Sequence, residues 1–324
     1  MQSYFRSHLR SSIEALRSPR GNVDVPRMVA AWATTDEWAA EARRMSAGDL
    51  RGILADLGQS IWDGDIGNYR TELLWNTESL GYLWSDEERS AMLRLHCESL
   101  VASAGDAVAF GRQGDSARAL SEACVTGSEH LAHAIESGRG IVLLSAYQDH
   151  PRFLMDLPTL SCAEIGVLRH DSDDATMSPL LFPDSTSNVR VLPASVRGVR
   201  SILDLLNRGQ MVALYNDFVY PESTSVPAPL FGQHVPVSRG IISIIARTRA
   251  LVLPVSVARA DPRGERVSVE FFLPIDLMSS GFGALSSAAL VMGLATECII
   301  RRHPANWRLW NTLQARWSAA RSRT

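Results

Sequence analysis

The chain has 324 residues, a formal net charge of -3 and 46% hydrophobic residues. This composition is typical of a soluble globular protein and excludes nonspecific binding of nucleic acid through a strongly basic surface. All 32 basic residues are arginine. No lysine can therefore serve as a base or Schiff-base nucleophile, and anions must be bound by arginine, backbone N–H groups or helix N-termini.

The chain has four widely spaced cysteines, Cys97, Cys124, Cys162 and Cys298. They form no CxxC pair and have no histidine at ligand spacing, which predicts reduced, mostly packed thiols and no structural zinc site. The N-terminus lacks the apolar core of a signal peptide. The most apolar long window, 281–300, contains Glu297 and several serines and glycines, which indicates a buried helix rather than a membrane span. We expect a cytoplasmic protein, and peripheral contact with the inner face of the membrane stays open.

Residues 1–137 are predicted to form an N-terminal helical region. Apolar residues recur at helical spacing through the segment WATTDEWAAEARRMSAGDLRGILADLGQSIW, with Thr35 and Ser46 as plausible caps. Further helices are predicted at 85–104 and 117–136. This region shows no strand-like run and no cluster of residues that carries chemistry.

From Gly138 to residue 324, short apolar runs alternate with helical patterns. Strands are predicted at 140–147, 163–170, 188–193, 210–217, 250–258 and 266–273. Helices are predicted at 150–160, 196–208 and 238–249, with two more in 284–319 that are separated near Pro304. The alternation predicts an α/β fold with a mixed, mainly parallel central sheet covered by helices. Functional groups in such sheets gather at the carboxyl ends of strands, here at 145–152, 215–222 and the turn leading into 238. Residues 221–232 are predicted to be a loop rich in proline and serine.

A polar turn follows the first of these strands. In AYQDHPRF (146–153), tyrosine, glutamine, aspartate, histidine and arginine surround one proline. So many polar side chains at the carboxyl end of a buried strand indicate an active-site turn or the remains of one.

Four segments of the second half are similar to those of one known family and stand in the same order. They are GRGIVLLSAY from 138, VRGVRSILDLLNRGQMVALYND from 196, PAPLFGQHVPVSRGIISIIARTRALVLPVSVAR from 227 and RRHPANWRLW from 301. The last is similar to an HPxxWxW signature, although its second tryptophan comes one residue later than in that pattern. We expect Trp307 and Trp310 to anchor the tail in the core. Over about 138–319 the chain thus resembles the lysophospholipid acyltransferase superfamily, in the branch of the bacterial lipid A lauroyl and myristoyl acyltransferases.

The resemblance implies an α/β fold and acyl transfer from a CoA or carrier-protein thioester to a hydroxyl. The catalytic motif of that family is histidine, four residues, then aspartate or glutamate, in which the carboxylate orients the imidazole that removes the proton of the acceptor. Here the two aligned positions carry Tyr147 and Arg152. Tyrosine, with a pKa of about 10, is a poor base at neutral pH, and arginine accepts no proton. The motif is therefore degenerate.

Two substitutes for the motif stay open. His150 can act as the base with Asp149 or Asp156 as its orienting carboxylate, provided that the turn is irregular, because neither spacing brings the side chains together on a regular helix. Alternatively, Tyr147 and Arg152 orient a substrate carboxylate, phosphate or amine, and an amine acceptor of lowered pKa needs less help from a base.

Five further residues are candidates for substrate binding. Asp217 ends a strand and matches an acidic strand-end position of the family. Arg197 and Arg200 lie on the helix that matches a basic stretch of the family. Ser238 opens a helix as a plausible N-cap, and with Arg239 beside it this helix N-terminus offers a site for an anion.

We therefore predict an acyltransferase that moves an acyl group, conceivably an aminoacyl group, from a thioester or other activated carrier to a hydroxyl or amine acceptor in lipid or specialised metabolism. The expected partners are an acyl-CoA or acyl-carrier-protein donor and a small-molecule or lipid acceptor. No bound cofactor is expected, and no nucleic acid except as an aminoacyl-tRNA donor. Two alternatives stay open: a non-catalytic binding protein that kept the fold and lost the dyad, and a hydrolase of activated acyl groups with water as the acceptor.

Overall fold

The computed structural model of the protein describes residues 40, 44–110, 122–148, 154, 157, 164–169, 189–193, 195–217, 224–259, 261–264, 266–279 and 285–321. The described part comprises a helical N-terminal segment, a seven-stranded sheet with helices packed against it, a two-stranded hairpin and a C-terminal tail. This architecture confirms the predicted α/β class.

From residue 44 to residue 110, the described N-terminal segment contains the α-helices α1 (Ala47–Asp63), α2 (Tyr69–Thr77) and α3 (Asp86–Phe110). Ser46 caps α1 as predicted, because its hydroxyl accepts the N–H of Asp49 at 3.1 Å. Ser85 and Glu88 form a reciprocal capping box before α3, in which each side chain accepts the backbone N–H of the other residue. The predicted cap at Thr35 lies outside the described residues.

Nine strands follow. They are β1 (Cys124–Thr126), β2 (Ile141–Ser145), β3 (Ile165–Arg169), β4 (Val189–Pro193), β5 (Met211–Tyr215), β6 (Ser225–Leu230), β7 (Gln233–Ser238), β8 (Leu251–Arg259) and β9 (Val267–Phe271). The large sheet has the order β1-β9-β8-β2-β5-β3-β4. The strands from β8 to β4 are parallel, while β9 is antiparallel to β8 and β1 runs parallel to β9. All six strands predicted from the sequence lie in this sheet.

Two strands contradict the sequence-based expectations. The prediction of no strand before residue 138 was wrong, because β1 forms at the sheet edge beside β9 and shortens the helix predicted at 117–136 to α4 (Ser128–Glu136). A three-residue edge strand carries too little alternation to be recognised. The predicted loop 221–232 contains β6, which pairs with β7 in a hairpin.

Proline explains why β6 resembles a loop in the sequence. Pro227 lies opposite Pro236, and Pro229 occupies the same side of the strand two residues later. Because N–H groups of alternate residues face the partner strand, these prolines leave the pairing of Val226 and Ala228 intact. The hairpin turns through Phe231 and Gly232, whose φ angles are 51° and 72°.

Four more helices follow α4, namely α5 (Val196–Asn207), α6 (Arg239–Thr248), α7 (Leu285–Arg302) and α8 (Leu313–Arg321). The two tail helices flank Pro304, as predicted. The predicted helix at 150–160 falls almost wholly outside the described residues. No helix in the described part of the chain is both long and apolar enough to cross a membrane.

Alternate residues of the central strands enter two separate apolar cores. Val142, Leu144, Val212 and Leu214 pack with the N-terminal helices, α5 to α7 and the tail. On the opposite face, the neighbouring residues of β2 and β5 pack with α4 and with β8 and β9. Burial on both faces explains why these strands are continuous apolar runs rather than alternating ones.

The prediction of packed cysteines is correct in part. Cys97 is buried in α3, and burial raises the pKa of its thiol. Cys124, on the edge strand β1, and Cys298, on the outer side of α7, are exposed. All three are free thiols, and Cys162 lies outside the described residues.

Close packing of α1 against α3 depends on Gly58. A Cβ atom at this position would lie 2.4 Å from the carbonyl oxygen of Cys97 and 2.6 Å from Cα of Glu98. Gly58→Ala should therefore force the helices apart and lower the free energy of unfolding by about 1–3 kcal/mol. A Cβ atom at Gly52, in the same helix, would have nothing within 4 Å. Gly52→Ala should raise that free energy by about 0.5–1 kcal/mol through its better helix propensity.

Urea denaturation followed by circular dichroism measures both changes. Equal effects of the two substitutions would contradict the packing role of Gly58.

Candidate active site

The carboxyl ends of the neighbouring strands β2 and β5 are tied together by Asp217. The backbone N–H of Tyr147 donates to Oδ2 of Asp217 at 2.7 Å. The backbone N–H of Asn216 donates to the carbonyl of Ser145 at 3.1 Å, which continues the pairing of the two strands up to this point. Asp217 is only 4% exposed, so its carboxylate acts as a buried acceptor at the sheet edge where functional groups were predicted.

The C-terminal tail closes over the same edge. The indole N–H of Trp307 donates to Oδ2 of Asp217 at 2.7 Å, and the guanidinium of Arg316 donates to the backbone carbonyl of Asp217. The backbone N–H of Arg308 donates to the carbonyl of Tyr147 at 3.0 Å. The segment around Trp307 and Arg308 is therefore a structural clamp on the strand ends.

Burial dominates the electrostatics of this cluster. It raises the pKa of the Asp217 carboxyl, while the Arg316 guanidinium and the N–H donors of Tyr147 and Trp307 act in the opposite direction. Burial likewise lowers the pKa of Arg316. Oδ1 of Asp217 is buried and accepts no hydrogen bond from the described residues. An unsatisfied carboxylate oxygen is costly in the interior and identifies this position as chemically unusual.

Gln148, at the start of the polar turn, is held in place by several hydrogen bonds. Its side-chain amide donates to the carbonyls of Ile299 and His303 at 3.1 and 3.2 Å. Its carbonyl accepts the hydroxyl of Ser256 at 3.0 Å, and its backbone pairs with Trp307 across an isolated bridge. Because β8, α7 and the tail all hold this one buried side chain, the turn begins from a rigid point.

The ring of Tyr147 packs against neighbouring side chains and does not project freely. It meets Tyr215 edge to face, with ring centroids 5.5 Å apart, and the guanidinium carbon of Arg308 lies 5.5 Å from its ring centroid. Tyr147 packs against the core on the α4 side of the sheet. Burial and the neighbouring Tyr147 and Asp217 raise the pKa of Tyr215 well above its ordinary value. The Tyr215 phenol is thus unsuited to serve as a base at neutral pH.

The structure describes six of the ten predicted site residues. It brings Tyr147 and Asp217 together. Ser238 is the N-cap of α6, where its hydroxyl accepts the N–H of Ile241, and Arg239 is exposed beside it. Arg197 and Arg200 are exposed on the first turns of α5. The remaining four, His150, Asp149, Asp156 and Arg152, lie outside the described residues.

An apolar cavity of about 490 Å³ lies on the other face of the sheet from Tyr147. The sheet contributes Val142, Val212 and Leu214, and α5 and α6 contribute the two sides. Ser195 and Ser238, which cap α5 and α6, both line it. The cavity therefore reaches the same carboxyl edge of the sheet as the polar turn. No sequence pattern indicates this cavity, because it arises from the spacing between three elements.

Trp307 and Trp310 anchor the tail in the core, as predicted, and both are fully buried. They pack edge to face, with ring centroids 4.6 Å apart, and Phe231 of the hairpin turn stacks on Trp310. The indole N–H of Trp310 donates to the carbonyl of Pro304 at 2.8 Å. The two tryptophans therefore differ in the acceptor that they satisfy, a carboxylate for Trp307 and a neutral carbonyl for Trp310.

This difference predicts that Trp307→Phe and Trp310→Phe lower the free energy of unfolding by unequal amounts. A hydrogen bond to a charged group contributes about 1.5–3 kcal/mol and a neutral one about 0.5–1.5 kcal/mol. We expect Trp307→Phe to lower the free energy of unfolding by about 1 kcal/mol more than Trp310→Phe, since both lose the same indole ring volume. Urea titration of the two variants measures the difference, and equal losses would contradict the role of the carboxylate.

His96 of α3 forms a hydrogen bond with the same C-terminal tail. Its Nδ1–H donates to the carbonyl of Ala305 at 3.1 Å, and its Nε2 lies 3.2 Å from the hydroxyl of Tyr69. Burial lowers the pKa of His96 from 6.5 to about 4. Since the unfolded chain then takes up the proton first, the contribution of His96 is complete above pH 6.5 and is lost as the pH falls towards 4.

Between pH values of about 7.5 and 5, this histidine should account for a loss of about 2 kcal/mol in the free energy of unfolding. Urea titrations at both pH values, on the wild type and His96→Gln, isolate that contribution. The variant should be less stable at neutral pH but lose less on acidification. A parallel decline of the two proteins would show that His96 does not carry the pH dependence.

The comparisons with known proteins agree with this geometry. No curated protein matches the sequence significantly. The family model described as bacterial lipid A biosynthesis acyltransferase matches residues 70–318, from α2 to the tail, and so includes the strand ends, the cavity and the tryptophan clamp. The resemblance noted from the four sequence segments is thereby confirmed, and the chain belongs to the bacterial lipid A biosynthesis acyltransferase family.

Proposed function

We propose that the protein transfers an acyl group from an activated carrier to a hydroxyl or amine acceptor at the carboxyl edge of the sheet. The observation that carries this proposal is an apolar cavity that reaches the same edge as the polar turn of β2. Family membership supports the same reaction class. A cavity lined by aliphatic side chains suits the hydrocarbon part of an acyl group, and a polar turn suits the reacting carbonyl.

His150 is the base that we assign to this reaction. Tyr147 occupies the position of the family histidine, but its backbone is held by Asp217 and Arg308 and its ring is packed against Tyr215. His150 follows three residues later in the sequence. Its imidazole takes the proton from the acceptor as the acceptor attacks the thioester carbonyl; the carbon–sulfur bond breaks, and the proton passes to the departing thiolate.

Asp149 and Asp156 are the candidate carboxylates that orient His150. Asp217 has a different role in this proposal, because its Oδ2 already accepts two N–H groups that hold the turn and the tail. Arg152, two residues after His150 in the sequence, is the candidate contact for an anionic group of the acceptor. In this proposal the described residues form a rigid platform, and the residues of the polar segment carry the chemistry.

The rim of the cavity suits the charged part of a donor. Arg197 and Arg200 are exposed on α5 and Arg239 is exposed on α6, while Ser195 and Ser238 cap these two helices at the rim. Acyl-CoA and acyl-carrier-protein donors both carry phosphate groups, which arginine binds through charge-assisted hydrogen bonds. We therefore assign a thioester of CoA or of a carrier protein as the donor and a small-molecule or lipid hydroxyl or amine as the acceptor.

The reaction can be tested by incubating the purified protein with acyl-CoAs, acyl-carrier proteins and candidate acceptors and measuring donor consumption and product mass. His150→Ala should lower the turnover rate by about 10²–10⁴, the range that a general base contributes. His133→Ala is the matched control, because His133 is exposed on α4, on the outer surface, and it should leave the rate unchanged. Tyr147→Phe should change the rate far less than His150→Ala.

Two results would contradict this assignment. Full activity of His150→Ala with loss of activity in Tyr147→Phe would mean that the site works by orienting the substrate through Tyr147. Binding of acyl donors without turnover of any of them by the wild type would favour the non-catalytic alternative, a binding protein that retained the acyltransferase fold.

A further inference from the structure

We infer that Arg308 determines which acceptors the site takes, because its guanidinium binds a carboxylate or phosphate group of the acceptor beside Tyr147. This inference rests on the proposed function, since it names the chemical class of one substrate of that reaction. In the proposed function, Arg152 is the candidate contact for such a group because of its place in the sequence. Arg308 adds a contact that the geometry of the described residues supplies.

Arg308 lies at the strand end where the polar turn begins. Its backbone N–H donates to the carbonyl of Tyr147 at 3.0 Å, and its guanidinium carbon lies 5.5 Å from the centroid of the Tyr147 ring. Arg308 is half-buried, so part of the residue is open to solvent. Because Tyr147 aligns with the base of the family motif, an anion bound by Arg308 lies beside the reacting end of the acceptor.

Helix α3 fixes the direction of this guanidinium. Ser103 is only 1% exposed, and its hydroxyl oxygen accepts an N–H of Arg308. The hydroxyl hydrogen of Ser103 donates to the carbonyl of Leu100 at 2.8 Å, so Ser103 acts towards Arg308 only as an acceptor. A guanidinium carries its N–H donors in a rigid fork. A fork that is already oriented binds an anion without the loss of entropy that ordering a long side chain would require.

The positive charge of Arg308 reaches into the site. Burial raises the pKa of Tyr215 well above its ordinary value, and Arg308 acts against this rise. Burial lowers the pKa of His96 from 6.5 to about 4, and the charge of Arg308 also acts to lower it. Both effects have the sign expected of a nearby cation. The strand end therefore stabilises a negative group.

The chemistry of arginine and its location assign this anion to the acceptor. The chain contains no lysine, and the planar guanidinium binds carboxylate and phosphate groups through paired hydrogen bonds. Arg308 does not line the apolar cavity, and the arginines that we assign to the phosphates of the donor lie on α5 and α6. The donor and the anion at Arg308 thus have separate contacts.

Calorimetric titration of the full chain with two pairs of small acceptors tests this inference. Glycerol 3-phosphate and glycerol differ by the phosphate, and serine and ethanolamine differ by the carboxylate. We expect at least one of the anionic acceptors to bind at least about tenfold more tightly than its counterpart without the anion, the gain expected of a hydrogen bond to a charged group. The pair with the larger difference identifies the anion that the site prefers.

Arg308→Gln removes the charge and keeps an amide donor for Ser103. It should weaken the binding of the preferred anionic acceptor by at least about tenfold and that of its counterpart by less than about twofold. Arg247→Gln is the matched charge control, because Arg247 is exposed on the last turn of α6. This control should retain the preference of the wild type.

Ser103→Ala and Ser99→Ala distinguish the positioning of the guanidinium from the anchoring of the tail. Ser99, one turn earlier in α3, is also buried, and its hydroxyl accepts the amide of Asn306 at 2.9 Å. Ser103→Ala should weaken anion binding by about two- to tenfold, because the guanidinium must then be ordered on binding. Ser99→Ala loses a contact with the same tail loop but leaves Arg308 in place, so it should bind as the wild type does.

The serine pair keeps the inference testable even if Arg308→Gln folds poorly. Equal losses of anion binding in the two serine variants would overturn the positioning by Ser103. Unchanged anion binding in Arg308→Gln, or a wild type that prefers neither anionic acceptor, would overturn the inference as a whole.

Turnover of dodecanoyl-CoA with the same four acceptors separates this inference from the proposed function. Anion binding that depends on Arg308, in a protein that turns over no thioester, would support the contact and contradict the proposed reaction. Turnover with an acceptor preference that Arg308→Gln leaves unchanged would retain the reaction and overturn the role of Arg308.

Discussion

The buried carboxylate of Asp217 is the constraint on which the rest of the site depends. Removing a carboxylate from water is unfavourable unless donors surround it. Here the stabilising groups come from two distant parts of the chain: the N–H donor of Tyr147 after β2, and the indole of Trp307 with the nearby cation of Arg316 in the tail. The tail must therefore fold back over the strand ends for Asp217 to be buried at all, and the strand ends must be in place for the tail to find its acceptor. Fold and site are completed by the same contacts.

Because the strand ends are fixed, the two faces of the sheet also differ in role. Tyr147 and Tyr215 turn towards the α4 side and fill it with packed rings. On the other side, the residues of β2 and β5 that face α5 and α6 leave an apolar cavity. Such a space persists only if its walls are rigid, because flexible side chains would otherwise collapse into it. The helix caps at Ser195 and Ser238 and the close approach of Gly198 to Pro193 provide that rigidity at the rim.

Much of the fold was predictable from the sequence because its strands are long apolar runs and its helices have clear caps. The six main strands and the cap at Ser46 are of this kind. What could not be predicted depends on distant partners or on spaces. Strand β6 contains two prolines and is recognisable as a strand only once β7 lies beside it. Asp217 and Trp307 are 90 positions apart, and no local pattern joins them. The carboxyl-edge rule did place Tyr147 and Asp217 at one sheet edge, but it could not reveal that Asp217 is a buried clamp.

In our proposal Tyr147 stands where the family carries its histidine, and the same contacts explain how a tyrosine is accommodated there. At this position the backbone is held on both sides, by the carboxylate of Asp217 through its N–H and by Arg308 through its carbonyl. Both contacts are independent of the side chain. Substituting the side chain therefore changes the chemistry of the position without loosening the strand end. An aromatic residue gains packing there against Tyr215 and the guanidinium of Arg308, which an imidazole would match only in part. The platform is therefore independent of the side chain at position 147, and in our proposal the base is the next histidine along the sequence, His150.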